Sequence, residues 1–357
     1  MTRFFSPELP ALRFIGWPSS DAVYPSGWAA SLAAYPQAQP ARIVQQHRNG
    51  YWIAFAVDAV TKISAPTAWQ RPDYPAESRA TVGDWVLVTA EQIVTVLPRF
   101  TVLKRVATGQ SFAQQMIASN INTALVLCGL DQAASLQQIT RYCLMAASGG
   151  VEPVIVLTKA DRCKQWKKRL ESIVAAVGKA AVLTLDPRDQ HAVTLLDPWL
   201  RLGETLVVVG PSGAGKSTLC NGLLGQCAAR TGAVRRLDGS GRHTTSQRTL
   251  WSLPSGACLI DTPGMRALKP TGEERLDLEF REIVAYAQQC RFRDCQHGNE
   301  PGCAVRAAVE AGQLSSRRVR DFLVLRRDIA DQAKTVALRG SQKHKTLRQI
   351  KPKLRED

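Results

Sequence analysis

No run of apolar residues in this chain reaches the roughly 18 that a membrane-spanning helix needs. The first residues also lack an unbroken apolar segment. Phe4, Phe5, Leu9 and Leu12 are interrupted by Pro7, Pro10 and Pro18, which excludes the h-region of a secretory signal. These absences predict a cytoplasmic protein with no membrane partner. A disulfide framework is excluded on the same ground, because nine cysteines in a reducing compartment stay as thiols or ligate metal. Six of them, Cys128, Cys143, Cys163, Cys220, Cys227 and Cys258, lie in apolar or helical stretches and read as buried free thiols. Acidic residues are the other shortage. Thirty Asp and Glu stand against 46 Lys and Arg, a net charge of +16, which suits a polyanionic partner. The excess is uneven: Ser315–Asp357 holds 13 Lys and Arg against 5 Asp and Glu, about half of it.

What is present is enough, at 357 residues and 45% apolar content, for two or three domains. Residues 1–40, rich in Pro, Ala and Ser, read as a loosely ordered extension in which Trp17 and Trp28 pack on a neighbour. Residues 41–110 hold short β-branched and aromatic runs (Arg42–Gln45, Tyr51–Val57, Asp84–Val88 and Gln92–Val96) divided by turns such as Asn49-Gly50. That spacing predicts a small β-barrel, with an OB-fold and an SH3-like barrel as candidates. Tyr51, Trp52 and Phe55 read as core, with base stacking as the alternative. A helical stretch is predicted near 111–119. Strands at 123–128, 153–157, 181–184 and 205–209 then alternate with helices near 133–147, 164–177 and 190–202. Such alternation makes βα units and a parallel sheet covered on both faces, so the fold class over residues 111–270 is α/β.

The strand at 205–209 runs into Gly210-Pro211-Ser212-Gly213-Ala214-Gly215-Lys216-Ser217, and Thr218 follows in an apolar helix start. Strand, glycine-rich turn and helix is the context of a phosphate-binding P-loop. Its glycines let the backbone close around a phosphate, so that amides and the helix N-terminus face the anion. Lys216 is placed to reach the β- and γ-phosphates, and Ser217 to bind Mg2+. Thr158-Lys159-Ala160-Asp161 closes the strand at 153–157. A carboxylate there accepts from guanine N1–H and the exocyclic amine, a pair that adenine lacks. The polar Gly239–Gln247 reads as a mobile switch whose Thr245 (or Thr244) would join Ser217 and Asp261 on Mg2+. Asp261-Thr262-Pro263-Gly264 ends a hairpin formed by 248–253 and 257–261, and the Gly264 amide would sense the γ-phosphate.

Cys290, Cys295, His297 and Cys303 put three thiols and an imidazole within 14 residues. Four such ligands suit one tetrahedral, structural Zn2+ with no open position for catalysis. Beyond it, Ala304–Ala311 reads as a helix ended by Gly312. Ser315 then caps a second helix with an apolar stripe: Val319, Phe322, Leu323, Ile329, Ala330 and Ala333. The zinc-binding, mostly helical region spans 271–338, and residues 339–357 read as a flexible basic tail that orders on RNA.

The order of the motifs is unusual. The base-reading motif at 158–161 precedes the P-loop, the switch and D-x-x-G, whereas in an ordinary GTPase it follows all three. That is a circular permutation. Val82-Gly83-Asp84-Trp85, Gln115–Asn120, Gly241–Thr245, Asp261–Gly264 and Cys290–His297 accompany it. Over residues 40–325 the chain thus resembles the ribosome small-subunit-dependent GTPase A (RsgA) family. The resemblance implies an OB-fold first domain, GTP hydrolysis, zinc in the C-terminal domain and late maturation of the small (30S) ribosomal subunit. The subunit and its rRNA are the implied partners, and a monomer is expected. His243 is the implied catalytic group, with Thr245 and Lys216, because Met265 follows D-x-x-G and a thioether cannot orient water. Thr158 stands where GTPases commonly carry Asn, which predicts a weaker brace on a neighbouring loop. Thr184-Leu185-Asp186 is the candidate for the base-backing segment. A zinc-stabilised rRNA-binding module with a mainly structural nucleotide site is the alternative; intact Lys216, Ser217, Thr245 and Asp261 favour the enzyme.

Overall fold

The computed structural model describes residues 9–18, 25, 27–47, 49–71, 74–90, 92–106, 114–131, 136–177, 180–225, 248–262 and 276–350. The switch residues His243, Thr244 and Thr245 lie outside these, as do Cys227, Gly264 and Met265. The chain divides into two compact units, Met1–Lys104 with Gln115–Ala267 and Arg105–Gln114 with Leu268–Asp357.

In the first unit the β-branched runs become β1 (Gln39–Gln46), β2 (Gly50–Ala54), β3 (Val60–Ser64), β4 (Trp85–Thr89) and β5 (Gln92–Val96). They pair antiparallel in the order β3-β2-β1-β4-β5, which fits a five-stranded, partly open OB-type barrel. Ile43, Tyr51, Ile53, Trp69, Val86 and Ile93 fill its core, with Phe55 partly buried against them. Trp52 points to the other face and lies beside His47, with ring centroids 6.3 Å apart.

The described residues before the barrel are packed rather than loose. They form α1 (Leu9–Arg13) and α2 (Trp28–Ala34), and bury Leu12, Ile15, Trp17 and Trp28. The Trp17 ring lies 4.9 Å from Trp28 and 4.7 Å from Trp85. Arg42 holds this layer in place. Its fully buried guanidinium sits 5.0 Å from the Trp85 ring centroid and donates to the carbonyls of Ile15, Gly16, Gly83 and Asn120. Burial lowers its pKa to about 10, still protonated at neutral pH. Gly83 (φ 92) lets the backbone press on Ser119, whose carbonyl oxygen would sit 2.2 Å from any Cβ there. Buried Asp84 accepts from Thr81 N, Ser119 Oγ and the Arg99 guanidinium, while Asn120 Nδ2 donates to the Gly83 carbonyl. The segments Val82–Trp85 and Gln115–Asn120 thus interlock.

Gln114–Ser119 is a strand, β7, paired with β6 (Val102–Val106), where the sequence predicts a helix. Cross-strand pairing outweighs the helix propensity of Gln, Met and Ala. A parallel array follows: β8 (Thr123–Gly129), β9 (Glu152–Thr158), β10 (Ala181–Thr184), β11 (Thr205–Val209) and, after the antiparallel β12 (Thr249–Ser252), β13 (Cys258–Asp261). Their order is β10-β9-β8-β11-β13-β12, and β12 joins β1 at Gln45 and Thr249. The intervening helices are α3 (Leu136–Ser148), α4 (Trp166–Ala176), α5 (Gln190–Val193) and α6 (Lys216–Gly225). The helix predicted at 190–202 is broken, because α5 gives way to a 3-10 turn, Thr194–Trp199, that contains Pro198. Leu125, Leu127, Val154, Val156, Leu206, Val208, Leu219 and Leu259 form the core.

The second unit holds helices at Leu276–Glu279, Arg281–Ala287, Ala304–Glu310 and Ser316–Ile350. Ser315 Oγ accepts from Arg318 N as the predicted cap, and Val319, Phe322, Leu325 and Ile329 are the buried stripe. Ala330 and Ala333 are exposed instead. The last helix continues through Ile350, where a flexible tail is predicted from Arg339. Ala, Leu, Arg, Lys and Gln in that stretch are good helix formers, so propensity carries the helix past its apolar stripe. Phe280 meets Phe322 at 5.4 Å, and the Arg318 guanidinium lies 4.7 Å from the Phe280 ring while pairing with Glu279 and Glu282.

Candidate functional site

Parallel strands deliver their carboxyl ends to one edge of the sheet, where open α/β folds bind ligands. β11 ends there at Val209, and Gly210 follows with a φ of 140° and so close to Leu127 O, 2.2 Å from where a Cβ would stand, that only glycine fits. The loop turns through Gly213 and Gly215 into α6, with Ser212, Ser217 and Thr218 exposed and Ala214 buried. Lys216 Nζ folds over the loop, donating to the carbonyls of Gly210 at 2.8 Å and Pro211 at 2.7 Å. Asp261, at the end of the neighbouring β13, is half-buried. Burial raises its carboxyl pKa and the Lys216 ammonium opposes the rise. Thr262 Oγ1 donates to Val208 O at 2.9 Å and fixes that strand end beside the loop. An ammonium, helix-start amides and a carboxylate thus converge as a polyphosphate and divalent cation require.

The segment Thr158–Asp161 meets this loop directly. Thr158, fully buried, donates its hydroxyl to Ala214 O at 2.8 Å. Threonine thus supplies a brace of its own, on the phosphate loop. Lys159 (φ 58) pairs with Asp131 at 2.6 Å, and Asp161 stands in the 3-10 turn Ala160–Arg162 with its side chain 51% exposed. The segment after β10 reaches the same place. Asp186 grips Arg188, whose hydrogen bonds hold the Asp186 carboxyl down at about 2, and Arg188 Nη2 lies 3.3 Å from Asp161 Oδ2. Pro187 packs beside Gly215. Arg188 was not marked by any motif; the short spacing to Asp186 was its only signal.

In the second unit the ligand atoms of Cys290, Cys295, His297 and Cys303 all lie within 4.8 Å of one another. His297 Nδ1 is 3.6 Å from both Cys290 Sγ and Cys303 Sγ. A tetrahedral zinc with Zn–S of about 2.3 Å and Zn–N of about 2.0–2.1 Å sets S and N about 3.6 Å apart. The donor set and its spacing therefore fit Zn2+, with Nδ1 as the imidazole ligand. Arg326 of the last helix donates to Cys295 O, Gln296 O and Gln296 Oε1, which buttresses the loop.

The RsgA GTPase family model matches residues 96–271. The small ribosomal subunit biogenesis GTPase RsgA of Xanthomonas axonopodis pv. citri (strain 306) is 48% identical over 342 residues, 95% of this chain and 94% of the relative. The crystal structure of YjeQ from Thermotoga maritima is 20% identical with a TM-score of 0.60, covering 82% of this chain and 98% of that one. The structure of YloQ, a circularly permuted GTPase, is 22% identical with a TM-score of 0.57, covering 83% and 96%. Among the described residues no helix is long and apolar enough to cross a membrane. Near-half identity along almost the whole length, together with a glycine-rich loop that follows the Thr158–Asp161 segment in the chain, places the chain in the RsgA GTPase family as a circularly permuted GTP hydrolase.

Proposed function

We propose that this protein binds the small ribosomal subunit and its rRNA in the cytoplasm, and that it hydrolyses GTP there during the subunit's late maturation. The bond from Thr158 to Ala214 carries the GTP half of the reading, because it welds the base-reading segment to the phosphate loop. The ribosomal half rests on the name its relatives bear and on the net charge of +16.

In this reading the Gly210–Thr218 backbone and Lys216 hold the phosphates. Asp161 accepts from guanine, with Thr158, Lys159 and Ala160 shaping its loop. Ser217, Thr245 and Asp261 would hold Mg2+, which neutralises developing phosphate charge when bound. His243, in the switch, orients the attacking water. Cys290, Cys295, His297 and Cys303 hold one structural Zn2+. The working division is a barrel at 41–110, a GTPase domain at 111–270, a zinc domain at 271–338 and a basic end at 339–357, acting as a monomer. GTP turnover by the full chain, with and without small subunits, tests the proposal. Turnover alone should be slow and subunits should stimulate it about 10²-fold or more, since supplied groups in related systems contribute about 10³–10⁵. His243→Ala should keep GTP and subunit binding but lose most of that stimulation. Full stimulation of this variant would remove His243 from the reaction, and an unstimulated parent would sink the subunit's role.

A further inference from the structure

Arg162, Lys164, Lys167, Lys168 and Arg169 put five positive charges into eight residues, with no Asp or Glu among them. Three of them fall in the first turn of α4, which contains no acidic residue. Cations there oppose the helix macrodipole, so helix stability does not account for them. Arg169 donates to Leu130 O and ties α4 to the end of β8. Arg162, Lys164, Lys167 and Lys168 are exposed, and among the described residues no carboxylate forms an ion pair with these four. Trp166 is half-exposed in their midst, with Lys167 Nζ 5.8 Å from its ring centroid. Cations interleaved with an indole suit a nucleic-acid strand, whose phosphates neutralise the charge and whose bases stack.

We infer that this face of the GTPase unit is a docking surface for RNA phosphates. The inference rests on the reading that the protein engages rRNA, and assigns part of that contact to residues far in sequence from the basic C-terminal end. The phosphates of the bound nucleotide are not the occupant, since they belong to the loop at Gly210–Ser217. The position has a consequence for the reaction. Arg162 follows Asp161 in one 3-10 turn, and α4 begins four residues later. An RNA strand held on Lys164, Lys167 and Lys168 therefore bears on the turn that reads guanine. Any change it makes in guanine-nucleotide affinity is matched by an equal change in RNA affinity on nucleotide binding.

The test is the triple variant Lys164→Gln/Lys167→Gln/Lys168→Gln in the full chain, probed with purified small-subunit rRNA over a salt series and, separately, with polyglutamate. The slope of log K against log salt should become shallower by about 2–3, at roughly 0.7–0.9 per lost phosphate contact. rRNA affinity at moderate salt should fall about tenfold or more. GTP affinity without RNA should match the parent, which shows that the variant is folded. A variant that keeps the parent's slope overturns the assignment. Loss of polyglutamate binding with an unchanged rRNA slope also overturns it, and gives the patch to an acidic protein segment instead. If the parent itself fails to bind rRNA, the broader rRNA reading falls and this one with it, an outcome distinct from both.

Discussion

Replacing Thr158 by Val preserves shape and removes one hydroxyl. That hydroxyl sits on a fully buried side chain and donates to Ala214 O at 2.8 Å, and Ala214 is itself only 2% exposed. The substitution leaves a buried acceptor without this donor, a cost of about 1–3 kcal/mol. The acceptor belongs to the phosphate loop, so the loop can recover part of the cost by turning Ala214 O toward water. Nucleotide binding must then reverse that turn. If about 1–2 kcal/mol is charged to binding, the Kd for GDP rises about 5–30-fold, at 1.4 kcal/mol per factor of ten. Titration calorimetry with Mg-GDP measures this directly. Thr158→Ser keeps the hydroxyl and controls for the lost methyl, and should bind GDP within about threefold of the parent on the same argument. A Val variant with the parent's affinity would refute the idea that this bond positions the loop. A lowered melting temperature with unchanged affinity would confine the bond to folding.

Asp161→Asn should weaken GTP binding and improve binding of xanthosine nucleotides, because the carboxylate accepts two hydrogen bonds from guanine and an amide cannot, and a site built around such bonds rejects analogues by up to about 10⁴–10⁵; equal affinity of the parent for ATP and GTP would sink the assignment. Cys295→Ser should lose the metal and loosen residues 290–325 while leaving GTP binding nearly intact, and parent protein purified without chelator that contains no zinc would count against the site. Burial raises the Asp261 pKa, so the folded form holds that proton more tightly than the unfolded chain. This group therefore favours folding increasingly as pH falls through the raised value, and disfavours it above. Asp261→Asn should raise the melting temperature at neutral pH without nucleotide or Mg2+ and lower Mg2+-dependent hydrolysis; an unchanged or lower melting temperature would contradict the burial argument.

The meeting of Gly210–Ser217 with Thr158–Asp161 and the clustering of Cys290, Cys295, His297 and Cys303 were legible because each is a local pattern of fixed residue types at fixed spacing. The parallel strands were legible too, since β8, β9 and β11 are continuous apolar runs buried along nearly their whole length. Partners distant in sequence were not. Arg42 in a composition reads as one more surface charge, yet four carbonyls from three separate segments enclose it. Gln114–Ser119 has helical propensity and became a strand because β6 was there to pair with it. The first 40 residues looked loose for the same reason: Trp17 and Trp28 are anchored by Trp85, more than 55 residues away. Arg188 could be marked only once Asp161, 27 residues before it, was seen within reach.

On the reading proposed above, the base side and the phosphate side of the site are held together by different kinds of bond. On the side proposed to read the base, side chains are tied to one another: Thr158 to Ala214, Lys159 to Asp131, and Arg188 between Asp186 and Asp161. A preformed surface loses little freedom on binding, so more of its contact energy appears as affinity and selectivity. On the phosphate side Lys216 is engaged with the carbonyls of Gly210 and Pro211. Those bonds would be exchanged for bonds to phosphate oxygens; the donor is an ammonium in both, so what the exchange adds is the Coulomb attraction of a full negative charge in place of a carbonyl dipole. The β-phosphate suffices to draw Lys216 away, so GDP should gain most of the affinity that GTP gains. On the proposed reading GDP should therefore be retained tightly, which a slow GDP off-rate measured by stopped flow would show and a fast one would refute. The turn that carries Asp161 leads directly into the basic face of α4, so the RNA contact proposed above would bear on that side and should speed the release.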